Sequence, residues 1–83
     1  LKNSSMDAVG IILPNTTDFF YSQFYSAAEA TLSTAGLSVM LFTTNNVAEK
    51  EKQCVSIAEG LRLQGLIMIT CQPENTAFFE SSC

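Results

Sequence analysis

Residues Ala8 to Leu13 read AVGIIL, an unbroken apolar run with β-branched side chains, closed by Pro14. Strict alternation would mark a strand wetted on one face, and a long 3.6-residue period would mark a helix. A short continuous run that ends at a proline instead fits a strand covered on both faces, as in a parallel sheet packed between helices. The same pattern returns at Leu37 to Thr43, LSVMLFT, and at Gly65 to Thr70, GLIMIT.

The intervals between these runs are each long enough for a helix and two tight connections, which parallel strands require. In the first, Phe24, Ala28, Leu32 and Ala35 recur at helical spacing, Ala27 adds a small side chain, and Gly36 supplies a stop. In the second, Cys54, Ile57, Ala58 and Leu61 form an i, i+3, i+4, i+7 stripe, while Glu49, Lys50, Glu51 and Lys52 are read as solvated first turns. After the third run, Pro73 and Glu74 stand where a further helix begins. The expected fold is therefore α/β, a parallel three-layer sandwich of order β-α-β-α-β(-α). Right-handed crossovers give the sheet order 2-1-3. Three strands with open parallel edges read as the first half of something larger.

Composition narrows the function. With 47% apolar and 14% charged residues the chain is too hydrophobic for disorder, and its apolar runs are too short to span a bilayer. Eighty-three residues bound it to one domain, and a domain of that size buries only about 60% of its unfolded surface. A net charge of −4 and a pI near 4.4 leave no cationic face for phosphates, so no nucleic acid is expected on this chain itself. Cys54, Cys71 and Cys83 lack CxxC spacing and there is no histidine, so zinc is not expected; the thiols are read as reduced, with Cys54 in the core. No cofactor is implied. The opening LKNSSMDAVG lacks the apolar core of a secretory signal, which favours the cytoplasm.

In an open parallel sheet the ligand crevice lies beyond the carboxyl ends of the strands, here the loops at Pro14 to Tyr21, Thr43 to Val47, and Thr70 to Pro73. The first contains no GxGxxG, and no GxxxxGK[ST] occurs, so dinucleotide and P-loop readings fail. Without histidine or a Gly-x-Ser-x-Gly elbow, hydroxyls and thiols have no activator, and an enzyme is not expected. What remains is Asn15, Thr16, Thr17 and Asp18 beside three aromatic rings, the composition of a small-molecule pocket. Asp18 can also serve as a helix N-cap, and the two roles are compatible. Phe19 and Phe24 are read as core packing. Phe20 and Tyr21 are left open by these arguments.

The segment VGIILPNTTDFFYSQF, Val9 to Phe24, resembles the effector-binding core of the lactose/galactose repressor family, typically VGVIIPDISNPFFSEL. Pro14 stands at the family proline, Asp18 at its asparagine, Phe20 and Tyr21 at its paired phenylalanines, and Ser22 at its serine. Phe19 departs, where proline is usual. AGLSVMLFTTNNVAEKEK and LRLQGLIMITCQ are similar to the family's next two strand segments, so the likeness covers nearly the whole chain.

This resemblance implies half of a type I periplasmic-binding-protein-like fold, with residues 1–83 a partial N-terminal subdomain and residues 1–5 a hinge remnant. Leu1 and Lys2 resemble the end of the family's hinge helix, with a chain boundary as the competing reading. It also implies ligand-binding roles for Asp18, Phe20 and Tyr21, for Thr44 or Asn45, and for Cys71 or Gln72. The expected function is the effector-sensing portion of a DNA-binding transcriptional regulator. Its small-molecule effector, a sugar or nucleoside, binds between two lobes, and operator DNA is reached only through a headpiece outside this chain. The family's N-terminal lobe contributes to a homodimer, and no membrane partner is implied. The alternative is a periplasmic sugar-binding protein of a transport system.

Overall fold

The computed structural model describes residues 6–69. They form β1 (Met6–Leu13), α1 (Phe19–Thr34), β2 (Ser38–Thr43), α2 (Ala48–Gly60) and β3 (Leu63–Met68). The three strands make one parallel sheet in the order β2-β1-β3, the expected topology. The helix expected from Pro73 onward lies outside the described residues.

Because β1 is central it is covered from every side. Ile11, Ile12 and Leu13 are fully buried, and Ala8 and Val9 nearly so. That is the physical content of an unbroken apolar run: side chains alternate between faces, and both faces are dry. Neighbouring residues of β3 show the alternation. Met68 packs with Phe42 against the cluster of Ile12, Cys54 and Val55, whereas Ile67 lies beside Phe24, Ala28 and Leu32. The two helices thus occupy opposite faces, and the three layers follow.

Gly10 sits on the α2 side, where a Cβ would come within 2.9 Å of the ends of both Leu63 and Leu66. A side chain here would oblige the ends of both leucines to shift. At the end of α1, Gly36 adopts φ +84°, its N–H donates to the Ser33 carbonyl (2.9 Å), and the Leu37 N–H donates to the Leu32 carbonyl (2.9 Å). These two bonds are a Schellman turn, so the expected stop at Gly36 is present and β2 starts at Ser38 rather than Leu37.

Three local expectations are corrected. The buried stripe of α2 is Glu51, Cys54, Val55 and Ala58, not Cys54, Ile57, Ala58 and Leu61. Ile57 is 54% exposed, and Glu51, expected in a solvated turn, is 1% exposed. At 100° per residue the two stripes differ by a rotation of roughly 60°. In α1, Phe24, Ala28 and Leu32 are only half-buried and Ala35 is exposed. β3 begins at Leu63, two residues before Gly65, because Arg62 takes a left-handed φ of 58° straight after α2 and returns the chain to the sheet at once.

Among the described residues no helix is long and apolar enough to cross a membrane.

Candidate functional site

The carboxyl ends of the strands are drawn together by a continuation of the ladder into the loops. The Thr44 N–H donates to the Leu13 carbonyl (3.0 Å), the Asn45 N–H to the Pro14 carbonyl (2.7 Å), and the Ile69 N–H to the Ile12 carbonyl (2.9 Å). The exits of β2 and β3 are therefore both pinned to the end of β1, and the first two loops meet there.

The first loop is ordered by its own amide. Asn15 Oδ1 accepts from the backbone N–H of Thr17 (3.0 Å) and of Asp18 (2.9 Å), and from Thr17 Oγ1 (3.2 Å). This is an Asx turn, and it engages the oxygen that the sequence offered to a ligand. Asp18 stands at the N-cap of α1 with extended φ and ψ, as a cap residue should, but its side chain makes no cap hydrogen bond. The capping role read from sequence is corrected to that extent: the position holds, the bond does not. Its carboxylate is exposed at the positive end of the helix dipole, where negative charge is favoured.

Phe19 is 78% exposed and Phe20 64%. The core position expected for Phe19 is corrected: it is the first residue of α1 and stands exposed. Three consecutive helical residues sweep about 200° around the axis, so Phe19, Phe20 and Tyr21 cannot share one face. Tyr21 is the half-buried member, and it meets Phe20 edge-on, with ring centroids 5.5 Å apart and planes inclined at 69°. That contact covers one side of the Phe20 ring and leaves much of it open. Phe24, one turn further, is half-buried against the sheet.

In the second loop the structure separates two neighbours that the sequence could not. Thr44 is fully buried, and its Oγ1 accepts from the Asn46 N–H (3.3 Å). It therefore shapes the turn and is withdrawn from any ligand. Asn45 and Asn46 both take left-handed backbone angles, φ 53° and 61°, a conformation asparagine tolerates better than most side chains. Asn45 is exposed. Val47, the N-cap residue of α2, is 49% exposed and was not singled out from the sequence.

The structure thus brings Asp18, Phe20, Tyr21 and Asn45 to one edge of the sheet, and Phe19 with them. Cys71 and Gln72, from the third loop, lie outside the described residues. Across the first two loops, residues 14–18 and 44–47, Asp18 is the one charged side chain. Such an edge can donate and accept hydrogen bonds and can stack on a flat or sugar-like face. Neither of its first two loops carries a cation to hold a phosphate.

Among the described residues no group of three or more histidine, cysteine, aspartate or glutamate side chains could hold a metal ion. Cys54 is buried beside Ile12 and Val55, as expected. Its burial pushes the thiol above the ordinary value, against the opposing pull of the Lys50 ammonium, and the Glu51 carboxylate raises it further. A thiol held neutral in this way is a packing group rather than a nucleophile.

No protein-family model matches the chain, and no curated protein matches it in sequence. The class that the architecture defines is an open parallel α/β sheet with a polar and aromatic edge at the carboxyl ends of its strands.

Proposed function

We propose that this chain is the effector-sensing portion of a DNA-binding transcriptional regulator, supplying one lobe of a two-lobed cleft for a small metabolite. The observation that carries the reading is the exposed Phe20 ring in the first turn of α1, just after the exposed N-cap residue Asp18 on the loop that leaves the carboxyl end of the central strand. Open parallel sheets bind ligands at that place. The resemblance to lactose/galactose repressors in three successive segments supports the same reading, and the lack of a cation in the first two loops favours an unphosphorylated sugar or a nucleoside. Asp18 accepts from ligand hydroxyls, Phe20 stacks on the ring face, Tyr21 orients Phe20, and Asn45 closes the polar rim. Gln72 or Cys71 completes the set from the third loop.

Sensing then needs no chemistry on the ligand. An effector that binds the closed arrangement of the two lobes better than the open one shifts the population, and the hinge transmits that shift to a DNA-binding headpiece. The setting is cytoplasmic and the assembly a homodimer. Self-association is further favoured by the incompletely covered sheet, where Leu41, Leu66 and Ile67 each remain more than a third exposed.

The test is a thermal-shift screen of the full protein that carries this lobe, against sugars, sugar phosphates and nucleosides. An unphosphorylated ligand should raise the melting temperature, and Phe20→Ala and Asp18→Ala should each abolish the rise. A rise that survives both substitutions places the site elsewhere. A ligand that binds without altering operator affinity in a gel-shift titration moves the reading to a transport binding protein.

A further inference from the structure

We draw no further inference here: the strongest candidate, the apolar groove of about 300 Å3 between α1 and Ile67 of β3, carries nothing because nothing among the described residues shows what covers it.

Discussion

The two helices flank the same strand and are packed in opposite ways. α2 buries Glu51, Cys54, Val55 and Ala58 and seals Ile12, Phe42 and Met68 beneath it. α1 buries no residue, and an apolar gap opens where it passes Ile67. Their compositions run the other way. α2 carries five charged side chains in 13 residues, whereas α1 has Glu29 alone in 16. The more polar helix is the better packed one, because a narrow stripe at i, i+3, i+4 and i+7 decides burial and the rest of the surface does not. The central strand is buried on both faces, whereas the outer strands are not: Leu41 and Ile67 on the α1 side and Leu66 on the α2 side each remain more than a third exposed, and the exposed aromatic edge belongs to the less buried helix.

The largest test of this contrast is a pair of truncations on neighbouring strands. Ile12→Ala, beneath α2, should cost about 2 to 5 kcal/mol in urea unfolding, enough to unfold a domain of this size. Ile67→Ala, beside the gap under α1, should cost less, about 1 to 2 kcal/mol, because about a third of that residue is already exposed. Equal losses would show that the α1 face is as tightly packed as the other.

The helix ends sharpen the comparison. Gly36→Ala forces a Cβ into left-handed backbone at the end of α1 and should destabilise by about 1 to 2 kcal/mol. Gly60→Ala, in the last turn of α2 with open space around it, should instead stabilise by up to about 1 kcal/mol. Thermal melts of the two variants should move in opposite directions.

Smaller again is a pH effect confined to the α2 face. Burial raises the Cys54 thiol above 9.0, so the folded chain keeps its proton at a pH where the unfolded chain loses it. The resulting stability is complete below that ordinary value and is lost as pH rises through the higher folded one. Cys54→Ala should remove that part of the alkaline decline, seen as a shallower slope of unfolding free energy between neutral and alkaline pH than in the parent. Parallel slopes would mean that Cys54 is as accessible as a surface thiol.

The smallest stability effect should come from the edge proposed as the ligand site. Phe20→Ala removes a largely exposed ring and should change the unfolding free energy by less than about 0.5 kcal/mol. A loss of several times that amount would show that Phe20 packs, and the proposed site would lose its platform.

Much of this was legible in the sequence. Three apolar runs, each short and unbroken, with intervals long enough for helices, gave the strand order, the parallel sense and the central place of AVGIIL. Gly36 announced its turn, and Cys54 its burial. The misreadings share a cause. Ile57 is apolar yet exposed and Glu51 charged yet buried, because two helical stripes overlap at Cys54 and Ala58 and residue type does not choose between them. Phe19 reads as core by residue type alone, yet at the first position of α1 it stands exposed. Thr44 and Asn45 are adjacent polar residues of similar size, both bonded through their backbone N–H to the end of β1 and its loop, and nothing local tells which side chain is buried.

What the sequence determined by itself is the set of elements and their order, because apolar periodicity and a glycine that can take positive φ act over a few residues and need no partner. What only the tertiary structure decided is the rotation of each helix about its axis, and with it which ring and which amide reach the open edge. That rotation is set by how the sheet and its connections meet the helix. A change of roughly 60° costs a helix nothing internally, yet it exchanges a buried residue for an exposed one.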